Sequence, residues 1–212
     1  EVAKGKPADE RGVLYRAVRF EVRPNKAEIA VLTRISDNLR MAWNEGLAER
    51  RRVFETFIAP INERLKRVES SEARGTLQRE LAAAYQEHSV TFYDQVNALT
   101  ARRASDPAFD AVPRNWQEET LDALNGTMRS FLALKANGDS DARMPRDRRD
   151  GYFSEISGRS GFLSGKPKFE FIDARAFRLN CGSQVIVFPI PSYQTEKLVA
   201  ARAANPLKFQ VK

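Results

Sequence analysis

The chain of 212 residues has few of the side chains that build disulfides and metal sites: one cysteine, Cys181, and one histidine, His88. One cysteine cannot form a disulfide within the chain, so we expect a reducing compartment, the cytoplasm. No Cys-x-x-Cys pair is present, which excludes a paired-cysteine zinc site in this sequence. No apolar run approaches the roughly 20 residues that a transmembrane helix needs, so no membrane partner is expected.

The charge of the chain is positive and unevenly distributed. Lysine and arginine number 35 against 28 aspartates and glutamates, which gives a net charge of +7. Residues 138–212 hold 13 basic and 8 acidic side chains, whereas the first 137 residues hold 22 and 20. A polyanionic partner fits this surplus, and its contacts are expected mainly in the C-terminal third.

The chain opens with the pattern of one strand followed by a long helix. Residues 13–23 alternate between apolar and polar side chains, which is typical of a half-buried β-strand. Asn25 followed by Glu28 predicts a capping box at a helix start. Apolar residues then recur at steps of three and four, which predicts an amphipathic helix to about residue 57, before Pro60 interrupts it.

Further helices are predicted up to residue 137. Thr91 with Asp94 and Asn115 with Glu118 have the spacing of N-cap pairs. Asn137-Gly138 predicts the end of the last helix. The predicted helices after the first are 61–69, 72–87, 91–103 and a helix from Asn115 to Asn137.

The pattern changes after Gly138. Residues 138–165 are rich in Gly, Ser, Asp and Arg and are predicted to form a loop. Short β-rich runs follow, with one helical stretch among them. The predicted strands are 168–172, 176–181, 185–190 and 207–211, and the predicted helix is 195–204.

This order predicts an α+β fold with a small antiparallel β-barrel and a helical bundle inserted after its first strand. An isolated strand cannot satisfy its edges, so residues 13–23 must pair with the distant C-terminal strands. The predicted parts are a flexible lead-in at 1–12, a barrel from 13–23 and 165–212, a helical segment at 24–137, and a basic connecting loop at 138–164.

No catalytic cluster is predicted in this chain. A two-metal nuclease site needs several carboxylates brought together. Here carboxylates such as Glu45 and Glu49 lie among arginines on predicted helix faces, where solvated charge is the expected state. His88 alone supports neither metal binding nor acid–base catalysis, and it is expected near a helix end.

Basic side chains gather in the Gly/Ser-rich loop, together with several aromatic rings. Guanidinium groups and rings on such a backbone suit phosphate contact and base stacking. The alternatives are a solvated loop in which Asp147 and Asp150 pair with nearby arginines, and an ordinary barrel exterior for the two first-strand arginines. The candidate residues for binding the nucleic-acid backbone are Arg19, Arg23, Arg143, Arg146, Arg148, Arg149, Lys166 and Lys168.

An ordered set of short segments resembles the N-terminal half of TnpB proteins and of the type V CRISPR effectors related to them. The resemblance spans nearly the whole chain and depends on the order of the segments, since no single one is specific. The segments are Tyr15–Asn25, Met41–Arg50, Phe109–Asn115, Arg143–Arg146, and the strand pair Phe177–Leu179 with Val185–Pro189.

The resemblance implies a part of an RNA-guided DNA-targeting nuclease. The barrel would be the wedge domain and the helical segment the recognition lobe. Together they would hold guide RNA and recognise the short target-adjacent duplex motif and the start of the heteroduplex. Cleavage, with its divalent metal, belongs to a RuvC-like domain. Because the chain opens at Glu1 and ends on a strand-like run, we expect a segment that stops before that domain, from a prokaryotic cytoplasm.

The same resemblance places the contacts to the duplex motif at two helix starts. Arginine and amide side chains there can bind base edges. The alternative is that Thr91 and Asn115 are only helix caps. The implied motif-binding residues are Thr91, Phe92, Tyr93, Gln95, Arg114, Asn115, Gln117 and Glu118.

A second function from another class is a protein–protein assembly module. In it the helical segment, with apolar faces around Trp43, Trp116 and Phe131, docks another subunit, the missing nuclease domain or a second copy. Salt separates the two functions, because phosphate-driven binding weakens steeply with salt and apolar docking does not.

Overall fold

The computed structural model describes residues 24–139, 141–150, 156–159, 169–172, 175–181, 184–190 and 208–211. The helices in this part are α1 (Lys26–Val53), α2 (Ala59–Arg67), α3 (Ser71–His88), α4 (Phe92–Ser105), α5 (Pro107–Asp110) and α6 (Arg114–Ala136). A π-helical turn, Phe54–Ile58, joins α1 to α2. The strands are β1 (Ile156–Arg159), β2 (Phe169–Phe171), β3 (Ala176–Asn180), β4 (Val185–Pro189) and β5 (Lys208–Val211).

Local sequence signals decide where two of the helices begin. The Asn25 side chain accepts the Glu28 N–H at 3.0 Å, and Glu28 accepts the Asn25 N–H at 2.7 Å. Thr91 and Asp94 form the same reciprocal pair. The hydrogen bond from the Thr91 hydroxyl also lowers the pKa of the Asp94 carboxyl. Both predicted capping boxes are therefore confirmed.

The prediction of an N-cap at Asn115 is wrong. α6 begins at Arg114, and its N-cap residue is Pro113, which makes no side-chain hydrogen bond to the helix. The fixed φ of proline favours entry into a helix, and the Pro113 carbonyl already accepts the Trp116 N–H at 3.0 Å. Asn115 therefore falls in the first helical turn, where it is buried.

α6 ends as predicted at Asn137-Gly138. Gly138 has a φ of +82°, a conformation that favours glycine. Its N–H donates to the Lys135 carbonyl at 3.1 Å, and the Asp139 N–H donates to the Leu134 carbonyl at 3.0 Å. This pair of bonds is a Schellman motif, which satisfies carbonyls at the end of the helix.

Pro60 follows a π-helical turn, and the helix continues through the position where the proline was predicted to break it. A proline has no N–H, and its ring crowds the carbonyl four residues earlier. The chain responds with the π turn, in which the Ala59 N–H reaches the carbonyl of Phe54. Phe57 in this turn stacks on His88, with ring centroids 3.8 Å apart. His88 is the last residue of α3, the helix-end position expected for it.

α1, α4 and α6 form the body of the helical block. Hydrogen bonds join Asn38 to Gln117 and Arg50 to Asn125, so α1 and α6 run in the same direction. α4 runs the opposite way, because Arg102 near its end contacts Glu45 and Gln95 near its start contacts Glu49. The buried residues between them are Ala42, Trp43, Leu47, Leu99, Phe109, Leu121, Leu124, Met128 and Phe131.

Gly46 allows α1 to approach its two neighbours closely. A Cβ atom at this position would lie 3.0 Å from Leu121, 3.1 Å from Gln95 and 3.1 Å from Leu124. These three side chains are buried, with exposed fractions of 2%, 3% and 0%. They have little room to move away from an added methyl group.

We expect Gly46→Ala to lower the free energy of unfolding by about 1 kcal/mol. Overpacking costs about 1–3 kcal/mol, and the helix preference of alanine offsets only about 0.5–1 kcal/mol of it. Gly126→Ala on α6 is the control, because a Cβ there meets nothing within 4 Å and should stabilise the protein. Urea unfolding measures both variants, and equal stabilisation by the two would contradict a tight contact at Gly46.

The described strands form two antiparallel sheets, not a closed barrel. β1 pairs with β5, and β3 lies between β2 and β4. The four strands predicted in the C-terminal third are present near their expected bounds, so the described chain is α+β. The predicted first strand at 13–23, the lead-in at 1–12 and the helix at 195–204 lie outside the described residues.

The prediction of a loop across 138–165 is wrong at residues 156–159. These residues form β1, which pairs with β5 in the register Ile156 opposite Val211. The sequence Ile-Ser-Gly-Arg has no apolar alternation, so pairing with a distant strand, and not local preference, makes this segment a strand.

The three-stranded sheet shares a core with the first half of α1. Phe177, Leu179 and Phe188 of the sheet pack in one cluster with Ile35 and Trp116 of the helices. Cys181 is buried in the same cluster, and burial raises the pKa of its thiol to about 11. The sheet is therefore docked on the helical block by apolar contact.

Candidate nucleic-acid interface

Residues 141–150 form an extended segment, the strap, that lies along α1. The Asn44 side chain binds the strap backbone at two points: its amide nitrogen donates to the Arg148 carbonyl at 2.9 Å, and its oxygen accepts the Arg148 N–H at 2.8 Å. The indole N–H of Trp43 donates to the Arg146 carbonyl at 3.2 Å. The predicted loop is thus held in place by α1 over this stretch.

Side chains of the strap also pack against the helical block. The Arg148 guanidinium lies over the Trp43 ring, 3.6 Å from its centroid, in a cation–π contact. Ala142 and Met144 pack against the core between α1 and α6. Arg148 is therefore half-buried and engaged with Trp43, although it was predicted to contact phosphate.

The aspartates of the strap pair with arginines of α1. Arg51 lies 3.2 Å from Asp147, and Arg40 lies 2.8 Å from Asp150. The alternative of local Arg–Asp pairs in a solvated loop is wrong in one respect: the paired arginines come from a helix about 100 positions earlier.

Three arginines of the strap project into solvent. Arg143, Arg146 and Arg149 are exposed, and none of them forms an ion pair with another described residue. Their backbone is held by Asn44 and Trp43, so these guanidinium groups extend from a fixed support. Exposed arginines on a fixed backbone can bind several phosphates without first ordering a loop.

Three of the residues predicted to contact the duplex motif are buried amides. Gln117 donates to Asn38 and to the Phe109 carbonyl, both at 2.8 Å, and accepts from Arg103 at 2.7 Å. Gln95 donates to the Gly46 carbonyl at 2.8 Å. Gln95, Asn115 and Gln117 are 3%, 7% and 0% exposed, so none of them faces a ligand in this conformation, and Gln95 and Gln117 join neighbouring helices by their hydrogen bonds.

Arg114 lies beside an open cleft between α4 and α6. Its guanidinium donates to Glu118 at 2.7 Å, to the Thr100 hydroxyl at 3.0 Å and to the Val96 carbonyl at 3.2 Å. The cleft has a volume of about 430 Å³ and is lined by Thr100, Arg103, Ala104, Pro107, Asp110 and Arg114. The structure therefore brings Arg114 and Glu118 together, as an ion pair.

The rest of the predicted motif set lies at the start of α4. Thr91 is the N-cap, Phe92 packs against the helical core, and Tyr93 is 74% exposed. Of the predicted backbone-binding residues, Arg19, Arg23, Lys166 and Lys168 lie outside the described residues.

Sequence patterns missed the residues that hold the strap and the cleft. Arg40 and Arg51 pair with the strap. Arg103 donates to the Val112 carbonyl at 2.7 Å and fixes the turn before α6. The available signal for α1 was spacing, since positions 40, 44 and 51 fall on one helical face. No local pattern links that face to a segment 100 positions later.

The apolar face proposed for docking is not on the surface. Trp43, Trp116 and Phe131 are 5%, 2% and 6% exposed, because they pack against other parts of the same chain. The assembly hypothesis placed its docking face on these three residues, and that placement is therefore wrong.

Within the described ranges, no group of three or more His, Cys, Asp or Glu side chains could hold a metal ion. In the same part of the chain, no helix is both long enough and apolar enough to cross a membrane. Comparisons with known protein families, with curated proteins and with solved structures find no match to this chain.

Proposed function

We propose that this chain is the nucleic-acid-binding part of a TnpB-like or type V CRISPR-associated effector. In this role it holds guide RNA and recognises the target-adjacent duplex motif and the start of the guide–target heteroduplex. Catalysis and its divalent metal belong to a separate nuclease domain.

The strap carries this proposal. Arg143, Arg146 and Arg149 present three positive charges without ion-pair partners among the described residues. Phosphate contacts supply much of the affinity of such proteins and fix their position on the ligand. Tyr93 is 74% exposed and the Arg114 side chain is 36% exposed, and neither is a helix cap as Thr91 is, so these two are the candidates for contact with the duplex motif.

The test compares two triple variants of the chain with equal change in charge. Replacing Arg143, Arg146 and Arg149 by Gln should lower the salt slope of binding to an RNA–DNA heteroduplex by about 2–3, because each phosphate contact contributes about 0.9. The control replaces Arg64, Arg67 and Arg79, which lie on the α2 and α3 helices, by Gln.

Binding is measured by fluorescence anisotropy of a labelled heteroduplex at several salt concentrations. If the salt slope fell equally in both variants, the strap arginines would contribute only through the net charge of the chain. No binding by the unmodified chain would refute the proposed function.

One observation favours the assembly module as a second candidate. The outer face of the three-stranded sheet exposes Val185 and Val187 of β4, at 53% and 48%, and Ile172, at 46%, follows β2 on the other side of β3. Single exposed apolar residues are ordinary, but a row of them on one sheet face can dock another protein. Binding through this face would tolerate salt, which separates it from binding through the strap.

A further inference from the structure

One face of α1 carries a row of polar side chains beneath the strap. Arg40, Asn44 and Arg51 fall on this face at steps of four and seven residues. At a rise of about 1.5 Å per residue, the two arginines lie about 16 Å apart along the helix. The strap runs antiparallel to α1, so that Asp150 meets Arg40 and Asp147 meets Arg51.

We propose that Arg40 and Arg51 are two further phosphate-binding residues, and that Asp150 and Asp147 occupy them in place of phosphate until nucleic acid binds. This inference rests on the proposed function, since the ligand is the same polyanion. With the carboxylates displaced, the two α1 arginines join Arg143, Arg146 and Arg149 in one basic surface.

The exposure of these ion pairs makes the exchange feasible. The Asp150 and Asp147 side chains are 88% and 54% exposed, and ion pairs in water contribute little to stability. Phosphate, like carboxylate, can accept two N–H bonds from the planar guanidinium, so it can replace an exposed aspartate on the same donors. The Nε of Arg40 is buried without a hydrogen-bond partner in the described structure, and Asp37 of α1, 3.6 Å from Nη2, is a second and more distant carboxylate beside this guanidinium.

The strap does not need these ion pairs to stay in place. Its backbone is held by two hydrogen bonds with the Asn44 side chain, one donated and one accepted by it, and by one donated by the Trp43 indole; none of the three involves an aspartate side chain. Arg148 adds its contact with the Trp43 ring. Asp147 and Asp150 can therefore turn toward solvent while the strap backbone keeps its position.

The test is a gain of binding, which a merely structural role of the aspartates would not produce. Asp147→Asn with Asp150→Asn should raise affinity for a labelled heteroduplex on the order of tenfold and increase the salt slope by about 0.9 for each arginine released. The matched control is Asp139→Asn with Asp141→Asn. It changes net charge equally, but neither residue forms an ion pair with a described residue.

A third variant locates the gain. Adding Arg40→Gln and Arg51→Gln to the Asp147→Asn, Asp150→Asn protein should abolish it. A gain no larger than that of the control pair, or one that survives loss of both α1 arginines, would overturn the inference. Neither result affects the proposed function, which is tested separately by the binding of the unmodified chain and by the salt dependence that Arg143, Arg146 and Arg149 confer.

Discussion

Arg50→Ala is expected to lower the free energy of unfolding by about 3 kcal/mol, since charge-assisted hydrogen bonds contribute about 1.5–3 kcal/mol each. Arg50 donates from Nε to the Gln95 side chain at 2.9 Å and from Nη1 to Asn125 at 3.1 Å. It thereby joins α1 to both α4 and α6. Its loss leaves the buried amide oxygen of Gln95 and the partly buried one of Asn125 without this donor, and it opens a cavity between three helices.

The burial of Arg50 has a cost that the network must offset. Desolvation lowers the pKa of Arg50, while Glu49 and Asp94 act in the opposite direction. Arg50→Met separates packing from hydrogen bonding, because it keeps an apolar stem of similar length and removes the donors. We expect the free energy of unfolding of the Arg50→Met variant to lie between those of wild type and Arg50→Ala.

Arg52→Ala is the matched control. Arg52 is exposed on the same helical turn, and its removal should change stability by less than about 0.5 kcal/mol. Urea unfolding, followed by the fluorescence of Trp43 and Trp116, measures all three variants. A loss for Arg50→Ala as small as that for Arg52→Ala would show that the buried network adds no stability.

Features encoded within a few residues could be predicted from the sequence. The capping boxes at Asn25 and Thr91 and the glycine stop at Gly138 depend on hydrogen bonds between residues three to five apart. β3 and β4 likewise follow their own alternation, with every second residue buried. In each case the residues that make the contact are the residues that form the pattern.

Features that depend on distant contacts could not be predicted. β1 is a strand because of β5, about 50 residues later. The strap is fixed by Asn44 and Trp43 across more than 100 positions. Asn115 has the spacing of an N-cap, but Pro113 starts the helix and places that amide inside. Gln95 and Gln117 have the side chains that suit base recognition, and nothing in the sequence shows that the helices enclose them.

Gln117→Leu tests whether Gln117 is a buried structural residue or a base contact. We expect this substitution to lower the free energy of unfolding by about 3 kcal/mol. Leucine fills a similar volume but can neither donate to Asn38 and the Phe109 carbonyl nor accept from Arg103. Each buried polar group that loses its partner costs about 1–3 kcal/mol. Arg103 keeps its bond to the Val112 carbonyl at 2.7 Å, which limits the total.

A double-mutant cycle with Asn38→Leu assigns the cost to the network. The Asn38 and Gln117 side chains are hydrogen-bonded to each other at 2.8 Å. The loss in free energy of unfolding of the double variant should therefore be smaller, by at least about 1 kcal/mol, than the summed losses of the two single variants. Gln86→Leu, at an exposed position of α3, is the control and should stay within about 0.5 kcal/mol of wild type. If Gln117→Leu left stability unchanged but altered preference among DNA duplexes of different motif sequence, Gln117 would be a base contact and its place inside the helical block would not persist in the complex.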